Sequence, residues 1–218
     1  MAELLILLAA GGGLVSLAVR LRSKSYEVLK RGLDLAICVP AMVLAVPVLL
    51  LCAAIIRISS RGPVFYSQIR AGRYGKPFRM YKLRTMSPDA ELATGAVWAS
   101  DDDPRVIPAC RWMRCSHVDE LPQLVNVMLG QMSLVGPRPE RPEIIADLEK
   151  QYPYARKRLA AVPGITGLAQ VRWGYDTTPE RFRRKLGADL EYIAMRNLMA
   201  DFKIIVATLP KFIDKQSR

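Results

Sequence analysis

The sequence predicts an α+β protein, mostly helical, built as a small cytoplasmic domain with a short β-hairpin on a re-entrant membrane helix. Three observations point there. The 218 residues are 51% hydrophobic, and the apolar excess is concentrated in the first sixty positions. Two short extended runs around a Gly-containing turn follow. Beyond Arg105, apolar residues recur at helical spacing among charged ones. The length suits one domain with its own core, and no repeat or low-complexity linker divides it. The chain therefore reads as an N-terminal apolar segment, transmembrane or surface-lying, over 1–24, a membrane helix over 25–60 that is either re-entrant or a kinked span on its residues alone, and a cytoplasmic domain over 61–218.

The first apolar stretch, Leu4 to Val19, is borderline for a span, since about 20 residues are needed, and Gly11, Gly12 and Gly13 interrupt it. Glu3 stands where a secretory signal carries positive charge. Arg20, Arg22 and Lys24 follow, and place that end in the cytoplasm if the segment spans. The second stretch, Leu33 to Ile56, is long enough to span, but Lys30 and Arg31 precede it and Arg57, Arg61 and Arg70 follow. Positive charge at both ends puts both ends on the cytoplasmic side. Pro40 and Pro47 offer the means, because an internal proline removes a hydrogen bond and kinks the axis. A break near Pro40 gives a re-entrant hairpin; a plain kinked transmembrane helix is the competing reading.

After Arg61, Val64 to Arg70 and Pro77 to Met86 read as strands joined by the turn AGRYGK. The second mixes Phe78, Met80, Tyr81 and Leu83 with Arg79, Lys82 and Arg84, a pattern that either aims cations at a phosphate or forms a solvated face. Residues 87 to 104 read as a polar loop ending in Asp101, Asp102 and Asp103, without the glycine and distal glutamate of an EF-hand. Helices are expected over Arg105–Cys115, Val118–Leu129, Pro142–Leu159, Pro179–Met195 and Asp201–Ile213, with a Pro/Gly turn and a short extended segment in Ala161–Val171. The last helix is expected to lie on lipid, with Phe202, Ile204, Ile205 and Leu209 facing down.

Thirty-two lysines and arginines oppose twenty acids, a net charge of +12. That balance suits nucleic acid, anionic lipid or phosphorylated substrates. No helix-turn-helix, zinc-finger or RNA-binding signature is present, so nucleic acid is not expected as a partner. Cys38, Cys52, Cys110 and Cys115 form no CxxC, and His117 is the sole histidine, which argues against structural zinc. Free cysteines fit a cytoplasmic domain.

The chemistry-bearing stretch is SHVDELPQLVNVMLGQMSLVGPRP, Ser116 to Pro139. Ser116-His-Val-Asp119 matches a capping box, and carboxylates are stabilised at a helix N-terminus, so Asp119 reads as a cap. It also reads as a reaction centre. A helix N-terminus holds anions. Adjacent carboxylates divide labour between attack and metal binding. Arg138, stiffened by Pro137 and Pro139, suits bidentate phosphate contact.

From about Lys30 to Phe212, the blocks KRGLDL, GPVFYSQIRAGRYGKPFRMYKLRTM, DPR, DELPQLVNV, GQMSLVGPRPERP, PGITGLAQV and DLEYI occur in order. On these blocks the chain resembles the bacterial sugar transferases of the monotopic phosphoglycosyl transferase superfamily. The resemblance implies transfer of a sugar-1-phosphate from a UDP-sugar to polyprenyl (undecaprenyl) phosphate, with release of UMP. It implies a phosphosugar ester on Asp119, with Glu120 helping to bind magnesium, Mg2+. Arg138 then contacts phosphate, Lys82 and Arg84 face the diphosphate, and Asp189 of the DLEYI block joins the substrate-binding set. It also implies the bacterial inner membrane, the catalytic domain on its cytoplasmic face, and the re-entrant form of the membrane helix, broken at Pro40, although Val39-Pro40 replaces the Ser-Pro common at that break. The competing class is a non-catalytic membrane scaffold of a polysaccharide assembly complex. The sugar is left open, as is a homo-oligomer.

Overall fold

The computed structural model describes residues 2–88, 90, 103–174 and 179–212, with side chains over 24–88, 90, 103–174 and 182–210. Most of the expected polar loop, residues 89 and 91–102, lies outside the described residues.

Helix α1 runs from Ala2 to Ser59, and Pro40 and Pro47 both lie inside it. The expected break at Pro40 is therefore not an interruption: helical backbone continues through both prolines. Packing explains the tolerance. Asp34, Cys38, Ala45, Cys52 and Ile56 are buried, at spacings of four and seven that fall on one helical face. Cys38 and Ala45 pack with Phe78, Met80, Leu124, Val127 and Met132. Cys52 and Ile56 pack with Leu83, Ile107, Cys110 and Met113. The domain thus grips the helix on both sides of each proline. The opposite face is apolar and open, with Leu44 75% exposed and Val43, Leu50 and Leu51 similar. The stretch Lys24–Ser59 is long and apolar enough to cross a membrane.

Strands β1 (Phe65–Ala71) and β2 (Pro77–Leu83) form the expected antiparallel hairpin, from Phe65 opposite Leu83 to Ala71 opposite Pro77. A 3-10 turn, Arg73–Gly75, closes it with Tyr74 at φ 59°. Phe78, Met80 and Lys82 share one face of β2 by the two-residue period, and Phe78 and Met80 take that face into the core.

Several expected helices are shorter. Arg105–Cys115 resolves into a 3-10 turn, Pro108–Cys110, and α2, Arg111–Cys115. Val118–Leu129 resolves into a 3-10 turn, Val118–Glu120, and α3, Gln123–Met128. Pro142–Leu159 gives α4, Pro142–Gln151, then a 3-10 turn, Ala155–Ala160; Pro153 between them cannot donate to a continuing helix. Strand β3 (Ser133–Val135) pairs in parallel with β4 (Gly164–Thr166), a pairing the sequence reading did not anticipate. Helices α5 (Leu168–Trp173), α6 (Pro179–Met195) and α7 (Leu198–Thr208) complete the fold.

Asp201 on α7 joins three elements. It accepts from Lys30 Nζ at 2.7 Å and the Tyr26 hydroxyl at 2.9 Å, both on α1, and from the Tyr192 hydroxyl on α6 at 2.8 Å. Of the outward stripe expected on this helix, Phe202 and Leu209 are exposed, joined by Met199 and Val206, whereas Ile204 is buried and Ile205 packs against its cluster, which corrects those two positions. Asp201 and Ile204 on the inward side fix that rotation.

Candidate active site

The acidic pair sits on the 3-10 turn Val118–Glu120, and both carboxylates are buried. His117 before it is left-handed, with φ 55°. That turn breaks the expected capping box. Ser116 Oγ instead donates back to Trp112 O at 2.8 Å and Met113 O at 3.3 Å, closing the end of α2. The six residues of α3 begin only at Gln123, so the expected anion site at a helix start is not what holds this pair. Side-chain cations surround it instead.

Lys82 Nζ donates to Glu120 Oε1 at 2.7 Å. Arg138 forks onto the same carboxylate, Nη2 to Oε1 at 2.6 Å and Nη1 to Oε2 at 3.2 Å. Lys82 arrives because β2 keeps its face over α3. Asn126, fully buried, fixes that register: its Oδ1 accepts from Tyr81 N at 3.0 Å, and its Nδ2 donates to Arg79 O at 2.7 Å. Arg138 arrives because β3 and β4 are clamped side by side. Gly136 N donates to Thr166 O at 2.9 Å and Gly164 N to Pro137 O at 3.0 Å. The backbones approach so closely that a Cβ on Gly136 would strike Val162 O and Gly164 N.

The two carboxylates differ in character. Burial raises Glu120, but Arg138 and Lys82 outweigh it and hold the carboxyl well below the usual range. Burial dominates at Asp119, opposed by Lys82 and reinforced by the Glu120 charge, and pushes it up to about 6. Burial pulls Lys82 downward, against the pull of Glu120. The pair thus splits into a fixed anion and an adjacent carboxylate held above its ordinary range by burial.

The remaining expected residues stand elsewhere. Arg84 is buried beyond the end of β2, where Nε donates to Pro63 O at 2.5 Å, Nη1 to Ser60 Oγ at 3.0 Å and Nη2 to Ser60 O at 3.1 Å. It closes the turn after α1 and does not join Lys82 on Glu120. Asp189 is buried on α6 and pairs with Arg158, at 2.9 Å to Nε and 2.7 Å to Nη2. Arg158 Nη2 also donates to Arg138 O at 2.9 Å. Asp189 therefore supports the backbone of Arg138 through a second residue. Burial raises its carboxyl, and Arg158 opposes that.

Sequence reasoning missed Arg158 and Arg70. Arg70 Nη1 donates to Pro139 O at 3.1 Å and reaches Glu140 Oε2 at 3.5 Å, so the segment carrying Arg138 is tied from two sides. The only signal in the sequence was basic charge in otherwise ordinary elements.

No group of three or more metal-ligating side chains occurs among the described residues. Magnesium needs less than that, one or two carboxylates completed by water and substrate phosphates. Glu120 accepts three hydrogen bonds, and a carboxylate offers about four lone-pair positions. The dyad fits a metal that arrives with a phosphorylated ligand.

Two adjacent buried carboxylates, two cations on one of them, and a domain packed along a long apolar helix make a site suited to phosphate chemistry. The comparisons agree. The bacterial sugar transferase profile matches residues 25–215, and the chain belongs to that family. A UDP-glucose:undecaprenyl-phosphate glucose-1-phosphate transferase of Caulobacter vibrioides is 40% identical over 211 residues, 96% of this chain and 76% of that protein. A UDP-N-acetylgalactosamine-undecaprenyl-phosphate N-acetylgalactosaminephosphotransferase of Aeromonas hydrophila is 38% identical over 189 residues, 87% of this chain and 44% of that protein. An exopolysaccharide production protein of Rhizobium leguminosarum is 37% identical over 187 residues, 84% of this chain and 94% of that one. The chain thus spans most of two of these relatives and less than half of the Aeromonas protein.

Proposed function

We propose that this chain transfers a sugar-1-phosphate from a UDP-sugar to undecaprenyl phosphate, releasing UMP, and so initiates exopolysaccharide or glycoconjugate synthesis. The observation that carries the proposal is the split dyad: Glu120 fixed by Lys82 and Arg138, beside a buried Asp119 whose carboxyl burial pushes upward. A carboxylate ionised at neutral pH but poorly solvated is an activated nucleophile.

Asp119 attacks the phosphorus that bears the sugar. The new bond joins its carboxylate oxygen to that phosphorus, the bond to the UMP oxygen breaks, and UMP leaves with the electron pair. An oxygen of undecaprenyl phosphate then attacks the same phosphorus, and Asp119 departs as carboxylate. Arg138 and Lys82 turn toward the diphosphate and offset its charge. Glu120 would hold magnesium together with the phosphorylated substrate, and the bound ion would supply Lewis-acid stabilisation of that charge.

The same reading places α1 in the inner membrane as a monotopic element, with the domain on the cytoplasmic face. The buried stripe runs from Asp34 to Ile56, about 33 Å of helix. A helix spanning upright would carry the charged domain beside it through the hydrocarbon. Lying within one leaflet, it offers its open apolar face to lipid and keeps the domain in water, with its site near the head groups.

The test is UMP release by the full chain with undecaprenyl phosphate, magnesium and a panel of UDP-sugars, with Asp119→Asn alongside. The expected result is UMP from one donor, a phosphosugar adduct on Asp119 by intact mass before acceptor is added, and neither in the variant. UMP surviving Asp119→Asn overturns the nucleophile. No UMP from any donor favours the scaffold reading.

A further inference from the structure

A cavity of about 150 Å³, with charged side chains on its wall, lies between the middle of α1 (Tyr26 to Asp34), the hairpin tip and the link from α6 to α7. None of Asp119, Glu120, Lys82 and Arg138 lines it. Four cations do: Lys30 and Arg31 from α1, Arg73 from the tip and Arg196 from the link. The carboxylates on its wall are Glu27 and Asp34, and Asp201 stands behind Lys30 at 2.7 Å. Cations therefore exceed acids.

The way these charges are answered differs. Asp34 accepts from Leu134 N at 3.1 Å, and Arg31 donates to the carbonyls of Val127 and Met128 at the end of α3. These are built into the fold. Glu27 is not. It is one-third exposed and draws two arginines, Arg73 at 3.0 and 2.5 Å and Arg196 at 3.6 Å. Ion pairs that solvent reaches, as it reaches Glu27, contribute less than fully buried ones, and a phosphate offers arginine the same forked geometry as a carboxylate. Arg73 Nε is buried with no hydrogen-bond partner.

Height matters as much as charge. Lys30 and Arg31 are the last cations before the apolar run of α1, and Leu33 and Ile37 already open outward from it. Tyr26, whose ring lies 6.0 Å from both Lys30 Nζ and the Arg196 guanidinium carbon, is the residue type that collects at membrane–water boundaries. With α1 in lipid, the cavity stands at the level of the phosphates.

We propose that this cavity binds the phosphate of an anionic phospholipid head group, with Arg73 and Arg196 exchanging Glu27 for it. The bound head group then ties the hairpin tip and the α6–α7 link to the membrane helix. The inference rests on the placement of α1 in lipid and not on the transfer chemistry.

The experiment is lipid retention by the full-length protein. Protein loaded with phosphatidylglycerol is stripped in detergent and weighed by native mass spectrometry. Wild type retains the lipid, and R73A/R196A retains at least about tenfold less, as expected for losing charge-assisted contacts. Glu27→Gln, which removes the competing carboxylate, retains more. A purely intramolecular clamp predicts that Glu27→Gln loosens the site as R73A/R196A does, and that outcome overturns the proposal. Equal retention by all three proteins, or displacement by inorganic phosphate alone, overturns it too. Flotation on neutral phosphatidylcholine vesicles stays unchanged in both variants, which separates loss of this site from loss of the membrane anchor. UMP release takes no part in the readout.

Discussion

Arg138 and Glu120 form a forked ion pair, 2.6 and 3.2 Å, and Lys82 meets the same carboxylate at 2.7 Å. One glutamate thus stores two cations where a diphosphate would need them. Lysine at position 138 would keep the charge and lose the fork. Arg138→Lys is expected to lower kcat/KM by about ten- to a hundredfold, the worth of one charge-assisted hydrogen bond. Steady-state UMP release measures it, and unchanged kinetics would show that the fork is not used.

Asp119 links activity to stability with opposite signs. Its folded value, about 6, lies above the ordinary 3.8, so the fold favours the protonated form. That contribution is whole below about pH 4 and is lost as pH rises through about 6. The displacement corresponds to roughly 3 kcal/mol at most. Asp119→Asn cannot ionise, so it should be inactive yet more stable than wild type at pH 8, by up to that amount. The gap should close toward pH 4. Chemical denaturation at both values checks it; a less stable variant at pH 8 would show that the buried charge is well compensated.

The proposed mechanism ties the same titration to catalysis. If the Asp119 carboxylate is the attacking species, formation of the phosphosugar adduct should rise with pH through about 6 and level above it. Single-turnover UMP release without acceptor isolates that step. A flat profile from pH 5 to 8 would mean that Asp119 ionises well below this range.

Asp189 is expected to act through Arg158 on the Arg138 backbone. Removing one partner of a buried ion pair costs about 3–5 kcal/mol, so Asp189→Ala should be destabilised by that order. With Arg138 less firmly placed, KM for the UDP-sugar should rise as well. Denaturation and donor titration together measure the two effects, and a stable variant with normal KM would remove Asp189 from any supporting role.

How much of this was legible in sequence follows from how far apart the partners lie. Asp119 and Glu120 are adjacent, and Arg138 stands in a proline-stiffened block, so local pattern was enough. The resemblance gave Lys82 and Arg84 one role, but β2 ends at Leu83, so strand alternation does not carry Arg84 onto the face of Lys82. The Ser116 capping box failed because His117 turns left-handed, which spacing does not reveal. The pairing of Ser133 with Gly164 and the bond from Arg158 to Asp189 span about thirty residues each. They are products of packing, and no local pattern announces them.

Membrane placement is the remaining prediction. The charged domain lies along the stripe from Asp34 to Ile56, about 33 Å of helix against a hydrocarbon thickness of about 30 Å. Upright insertion would force buried and exposed ions of the domain into that layer, where each costs several kcal/mol. Both ends of the segment should therefore face the cytoplasm. Ser25 and Ser59 are exposed near those ends, and a Cys115→Ser background removes the one native cysteine that is only partly buried. Cysteine at either serine should react with an impermeant maleimide in inverted vesicles and stay unlabelled in intact spheroplasts. Labelling of Ser25→Cys and Ser59→Cys from opposite sides would instead establish a spanning helix, and the domain would then have to separate from one half of α1.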